Sequence, residues 1–242
     1  ISASVQKGNV RKDIIYWYKN NKIIKKIEDV TSGEISPDGK YYTYVKNKFI
    51  YILDDQDKLI NRLPFRDLLE FFTWSFDSKY IYISEQGNEY IISRFNIKSG
   101  KKEEILRSNK IYFHPVTVNN PNILYLLRNR QPKYEYDCDL VKYDLQFKKF
   151  EDVILPLENY SIYDTFTISP NERIVLIDNG DWYIYICDIL KSKIIDKIKI
   201  IFNNSHTDSF RWKRDSTYLI FTMNGEQIFK YIIPKNLQSD EK

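Results

Sequence analysis

Apolar and polar positions alternate along this chain in short runs, the spacing that marks a half-buried strand. Five such runs follow a polar turn: YYTYV (41–45), YIYIS (80–84), ILYLL (123–127), RIVLI (173–177) and YLIFT (218–222). A second set comes after a short polar link: FIYIL (49–53), YIISRFNI (90–97), DLVKYDL (139–145), DWYIYICDI (181–189) and QIFKYII (227–233). A third, more polar kind of strand follows a Lys- or Gly-containing turn, as in SGKKEEIL (99–106) and KSKIIDKIKI (191–200). In the run 182–187, Trp182, Ile184 and Ile186 fall on one face and Tyr183, Tyr185 and Cys187 on the other. A strand apolar on both faces must be sandwiched between two further layers.

The turns before the first set repeat. Ile35-Ser36-Pro37-Asp38-Gly39-Lys40 returns as Trp74-Ser75-Phe76-Asp77-Ser78-Lys79, as Ile168-Ser169-Pro170-Asn171-Glu172-Arg173, and more loosely as Trp212-Lys213-Arg214-Asp215-Ser216-Thr217. Proline presets φ, Asp or Asn bonds the local backbone, and Gly or Ser accepts the tight reversal. Phe113-His114-Pro115 reads as the opening of a further copy that detours through 119–122 before its strand. The anchors Ser36, Ser75, His114, Ser169 and Lys213 then lie 39, 39, 55 and 44 residues apart. That is the length of one four-stranded propeller blade.

The predicted fold is therefore all-β, a single propeller of four-stranded blades spanning 1–242. Counting third strands gives six blades, the favoured number; counting complete turn units gives five. The blades fall at 1–30 (partial), 31–64, 69–107, 109–155, 162–200 and 206–234. The first is partial because Gly8-Asn9 aligns with Gly87-Asn88, which makes the chain begin at a second strand, while the last supplies three strands. Either the two ends share a blade, or sequence upstream of Ile1 belongs to the protein.

Composition agrees with this reading. Twenty Tyr and 14 Phe among 242 residues, with 43% hydrophobic content, suit packed pleated surfaces. A net charge of +4 falls short of a nucleic-acid footprint, and the basic stretch 19–26 reads as a solvated strand edge. Cys138 and Cys187 have no metal or disulfide-framework spacing and read as free thiols. No apolar run approaches the roughly 20 residues of a membrane span.

The Ser-Pro-Asp-Gly-Lys turn and its flanking strands resemble the WD-like propeller repeats of the TolB type, found also in the propeller of prolyl-oligopeptidase-like peptidases. The resemblance covers nearly the whole chain but marks a fold, not an activity. It implies no catalysis by the propeller alone, and it leans towards an extracytoplasmic setting. The Gly-His and Trp-Asp pairs of true WD repeats are missing; Asp181-Trp182 is an inverted pair.

A search for chemistry finds little. There is no Gly-x-Ser-x-Gly elbow, phosphate loop, His-Glu-x-x-His or Cys-x-x-Cys, so no catalytic residue, metal ligand or cofactor is assigned. His114 reads as a repeat variant, and His206 lies in a connection between blades. Five residues before the anchors stand Thr31, Glu70, Asn109, Asp164 and Asp208, where the innermost strands begin. Glu70, Asp164 and Asp208, with His206, are candidates for a ligand site on the channel rim, able to take a cation or an amine. The excursion 128–139 carries Arg128, Arg130, Lys133, Tyr134 and Tyr136, the residue types favoured as anchors in protein recognition. DDQD (54–57) reads as a turn, and FRDLLEFF (65–72) as a short helical turn with Leu68 and Leu69 in the core. Together these predict a non-catalytic module that binds a protein or peptide through one face. The alternatives are a small-ligand or cation-binding propeller using the acidic rim, or a structural module of a larger protein.

Overall fold

The computed structural model describes residues 2–7, 10–19, 22–28, 30, 32–65, 68–109, 112–129, 136–161, 165–178, 183–199, 207–213, 215–223 and 227–235. Among these, 22 strands form six antiparallel sheets. Sheet one holds β1 (Ser2–Lys7), β2 (Val10–Lys19) and β3 (Lys22–Glu28). Sheet two holds β4 (Gly33–Ile35), β5 (Tyr41–Lys46), β6 (Phe49–Asp54) and β7 (Leu59–Pro64). Sheet three holds β8 (Leu68–Trp74), β9 (Tyr80–Gln86), β10 (Tyr90–Asn96) and β11 (Lys102–Ser108). Sheet four holds β12 (Tyr112–Thr117), β13 (Ile123–Asn129), β14 (Tyr136–Asp144) and β15 (Lys149–Ser161). Sheet five holds β16 (Thr165–Ile168), β17 (Ile174–Asp178), β18 (Tyr183–Asp188) and β19 (Lys193–Lys199). Sheet six holds β20 (Thr207–Trp212), β21 (Tyr218–Met223) and β22 (Gln227–Ile232).

Each sheet is an up-and-down meander, and apolar layers fill the space between successive sheets. Val45, Ile50 and Ile52 of sheet two meet Phe72, Trp74 and Ile81 of sheet three. Tyr82 and Ile92 meet Leu124, Leu126 and Val141 between sheets three and four. Tyr125 and Leu127 meet Val175 and Ile177 between four and five. Leu176 and Ile186 meet Leu219 and Phe221 between five and six. A smaller layer of Ile27, Val30 and Tyr42 joins sheets one and two. Alternation thus sends successive residues of one strand to two different interfaces, which is why the second strands are apolar on both faces. The first strands β8, β12, β16 and β20 are neighbours in that order. This is the architecture of a β-propeller.

The repeated turn is held by one pattern of bonds. Ser36 Oγ donates to Asp38 Oδ1 at 2.7 Å and accepts from Tyr41 N at 3.0 Å, while Asp38 Oδ1 accepts from Lys40 N at 3.1 Å. Ser75 with Asp77 and Ser169 with Asn171 repeat it, each hydroxyl donating at 2.7 Å. Burial opposes ionisation of Asp38 and Asp77, but the serine hydroxyls and backbone N–H groups outweigh it and hold both carboxyls below their ordinary value. The fourth turn residue is left-handed in four of the turns: Gly39, Ser78, Glu172 and Ser216 have φ of 74°, 60°, 58° and 59°. The three that are not glycine reach back to the preceding sheet. Ser78 Oγ accepts from Asp38 N and Ser216 Oγ from Asn171 N, both at 3.1 Å, and Glu172 Oε2 accepts from Tyr125 OH at 2.9 Å. A Cβ at Gly39 would meet nothing within 4 Å. Gly39→Ala is therefore expected to destabilise by about 1 kcal/mol through backbone conformation alone, as measured by the denaturant midpoint.

Two sequence expectations need correction. The turn anchor in sheet four is Val118, not His114. Thr117 pairs with Leu124 as Trp74 pairs with Ile81, and Asn122 N donates to Asn120 Oδ1 at 3.0 Å as Lys40 N does to Asp38. His114 and Pro115 lie inside β12, where the register shifts between Phe113 and Val116 and His114 takes φ 50°. Segment 68–72 is not a helical turn: Leu68–Trp74 pairs with β9 as a strand. Its alternation serves two faces at once, Phe72 going to the layer between sheets two and three and Phe71 to the channel.

Candidate functional site

The first strands of sheets two to six enclose a cavity of about 510 Å³. Each strand contributes where it runs into its turn: Glu34 and Pro37, Phe71 and Thr73, Val116 and Thr117, Phe166 and Thr167, Phe210 and Trp212. The register makes Ile35, Trp74, Thr117, Ile168 and Trp212 equivalent, since each pairs with the same position of its second strand. The two indoles are fixed. Trp74 Nε1 donates to Thr43 Oγ1 at 3.3 Å and its ring stacks on Tyr41 with centroids 6.0 Å apart; Trp212 Nε1 donates to Thr167 Oγ1 at 3.2 Å. Thr117 Oγ1 donates to the Trp74 carbonyl at 2.7 Å. These bonds tie Trp74, Thr117 and Trp212 to a neighbouring sheet, so that part of the wall is held in place by the fold itself.

Its lining is largely apolar. Aromatic and proline surface dominates, threonine hydroxyls supply orienting polar groups, and Glu34 contributes a carboxylate. No His, Cys, Lys or Arg lies among the described lining residues. Among the described residues, no cluster of three metal-ligating side chains forms.

The residues singled out from sequence are placed unevenly. Glu70 is the extra residue of a bulge in β8, between the Leu69–Glu85 and Phe71–Ser84 pairs. Asp208 is the extra residue at the equivalent place in β20, between Thr207–Met223 and Ser209–Thr222. Their backbones thus share a position at the upstream ends of the first strands; their side chains, and residues Asp164, His206 and Thr31, lie outside the described residues. Asn109 drops out of the alignment, because the true anchor in sheet four is four residues later. In the 128–139 excursion, Arg130, Lys133 and Tyr134 lie outside the described residues, and Tyr136 is placed only as the first residue of β14. Arg128 is no free anchor: it sits in β13 and donates to Asp139 Oδ2 at 2.8 Å across the strand pair. Because Arg128 pairs with Tyr112 at the upstream end of β12, the excursion leaves from the propeller face opposite the turns that rim the cavity.

His114 packs its ring on Phe71, centroids 4.5 Å apart, directly behind the cavity wall. Burial pushes its imidazole down to about 4. Cys138 and Cys187 are buried free thiols, and burial pushes Cys187 up to about 12. DDQD forms a turn in which Asp54 Oδ1 accepts from Gln56 N and Lys58 N.

Sequence reasoning missed the aromatic cavity. The large apolar residue before each turn was visible, Trp74 and Trp212 included, but only pairing register tells whether the channel or an inter-sheet layer receives it.

No family model matches this chain, and no curated protein does. Solved structures do match, among them the β-propeller domain of Cps50 (Swd1) from Myceliophteria thermophila. It superposes with a TM-score of 0.61 at 15% identity, covering 88% of this chain and 68% of that one. At that identity the likeness speaks to the fold alone, and the fold of this chain is a WD-like β-propeller.

Proposed function

We propose that this propeller is a non-catalytic binding module that recognises a protein or peptide through the turn-side mouth of its channel. The observation that carries the reading is the aromatic cavity to which five first strands contribute. A cavity of about 510 Å³ with few polar groups suits one or two apolar side chains of an extended segment. The Ser-Pro-Asp-Gly-Lys turns support assignment of the repeats to the TolB type. The alternative, a cation or amine held at the opposite rim by Glu70, Asp164 and Asp208, draws support from the equivalent bulges at Glu70 and Asp208.

A displayed peptide library, selected on the folded protein, tests the reading. Thr73 lines the cavity and is only half-buried, so Thr73→Phe fills the space without entering an inter-sheet layer. Selected peptides are expected to bind Thr73→Phe at least about tenfold more weakly, a difference of ~1.4 kcal/mol, with the melting temperature unchanged. Binders lost instead with Arg130→Ala/Tyr134→Ala move the site to the opposite face. A selection without binders overturns the proposal.

A further inference from the structure

The five turns that rim the cavity share one length. In sheets two to six the last residue before the turn pairs with the residue seven positions on: 35 with 42, 74 with 81, 117 with 124, 168 with 175 and 212 with 219. The third turn residue is therefore Asp38, Asp77, Asn120, Asn171 or Asp215, and the fourth is Gly39, Ser78, Pro121, Glu172 or Ser216. Two junctions between neighbouring turns close in the same way. The backbone N–H of the third residue donates to a serine hydroxyl at the fourth position of the next turn, Asp38 N to Ser78 Oγ and Asn171 N to Ser216 Oγ, both at 3.1 Å.

Between sheets three and four this tie is missing. Pro121 stands where the serine would be and has no hydroxyl. Proline also lacks the N–H that Gly39, Ser78, Glu172 and Ser216 each donate to the carbonyl of their anchor residue. This turn closes instead through Ile123 N, which donates to the Asn120 carbonyl at 3.2 Å. Among the described residues no acceptor meets the Asp77 N–H, the equivalent of the donors on Asp38 and Asn171.

A notch of about 60 Å³ lies at this point, between Phe76 and Asp77 on one side and Asn119, Asn120 and Pro121 on the other. That is the space of a few water molecules, enough for a side chain of two or three heavy atoms and too little for a ring. Phe76 and Thr117 line both the notch and the cavity, so the two adjoin. The Asp77 carboxyl is held below its ordinary value and is ionised at neutral pH, which disfavours a second anion beside it.

We infer that the notch is a subsite selective for serine or threonine: the bound segment supplies the hydroxyl that the sheet-four turn lacks, accepting from the Asp77 N–H within two residues of the apolar side chain in the cavity. The inference rests on the cavity reading and adds a sequence requirement to it. In an extended segment, residues two apart face the same way at about 7 Å, which suits two adjoining pockets.

The displayed library that tests the cavity tests this as well, read together with amide exchange of the full chain by NMR. In the free protein the Asp77 amide is expected to exchange at least about tenfold faster than the hydrogen-bonded amides of Asp38 and Asn171. Selected peptides whose binding is lost with Thr73→Phe are expected to carry Ser or Thr within two positions of a large apolar residue, and to slow the Asp77 amide. Replacing that Ser or Thr by Ala should weaken binding about three- to tenfold, the loss of one neutral hydrogen bond, and restore fast exchange. Val118→Ser combined with Pro121→Ser gives the turn its own hydroxyl. In that variant the Asp77 amide should be slow without peptide, and the hydroxyl and Ala peptides should bind alike. Equal binding of the two peptides by the wild type, protection of Asp77 by both (a backbone carbonyl then takes the N–H), or an Asp77 amide already slow in the free protein each overturns the inference and leaves the cavity reading in place. So does a double variant whose Asp77 amide stays fast or whose hydroxyl preference is undiminished. A selection without binders overturns both.

Discussion

Asp188→Ala is expected to lower the stability of the folded chain by about 3–5 kcal/mol, the range for removing one partner of a buried ion pair. Asp188 is fully buried. Its Oδ2 accepts from Arg173 at 3.3 Å and lies 3.8 Å from Lys191 Nζ, while Oδ1 caps the turn that starts β19. Alanine strands the Arg173 guanidinium, itself only 9% exposed, and removes the cap. Asp188→Asn separates the two effects, since Asn96 shows that asparagine caps the corresponding turn of sheet three unaided. Its loss should lie between those of wild type and alanine. Arg173 Nε makes no hydrogen bond even in the intact pair, so the guanidinium is incompletely satisfied. Arg173→Met combined with Asp188→Asn should therefore recover most of the loss. Urea denaturation of the four proteins measures this directly. A loss below about 1 kcal/mol for alanine would mean that water reaches the site and the pair behaves as a surface one.

The same residues show what could be read from sequence. Ser36-Pro37-Asp38-Gly39 and its relatives revealed the repeat because turn chemistry is local: hydroxyl, carboxylate and backbone N–H lie within five residues of one another. The caps at the ends of the third strands, Asp54, Asn96, Asp144 and Asp188, are equally local. Sheet four misled because His114-Pro115 imitates the Ser-Pro step, while the real turn, 118–123, carries Val118 where serine was expected. A bulge inside β12 makes up the difference, and nothing local announces a bulge. Segment 65–72 failed similarly, since pairing with β9 and burial of Phe72 override any helical preference of Leu68 and Leu69. Arg128 looked like a loop anchor until register set it opposite Asp139. The cavity was the least legible feature. Which of Phe71 or Phe72 faces the channel is decided by one residue of register, and such a slip exchanges the two faces of a strand.

His114 supplies the second large effect, and it is conditional on pH. Its ring lies against Phe71 inside the β12 bulge, and burial lowers its imidazole from 6.5 to about 4. The folded chain therefore favours the neutral ring. Above pH ~6.5 folded and unfolded chains both carry it neutral, and stability has no slope from this group. Between that value and about 4 the unfolded chain binds a proton that the folded chain refuses, so stability falls as acid is added. The full difference corresponds to about 3 kcal/mol, most of it gone by pH 4.5. The carboxylates act in a different window. Asp38 and Asp77 are held below the ordinary 3.8 and Asp215 near 2, so their stabilisation is lost only as pH falls below about 4. His114→Asn keeps a side chain that tolerates the φ of 50° and has no proton to gain. Denaturant midpoints for this variant should stay nearly level between pH 7 and 4.5, while those of the wild type drop. Parallel drops in both proteins would place the acid sensitivity elsewhere. A level wild type would mean that the ring reaches water in the folded chain, and that the Phe71 wall of the cavity yields to let it do so.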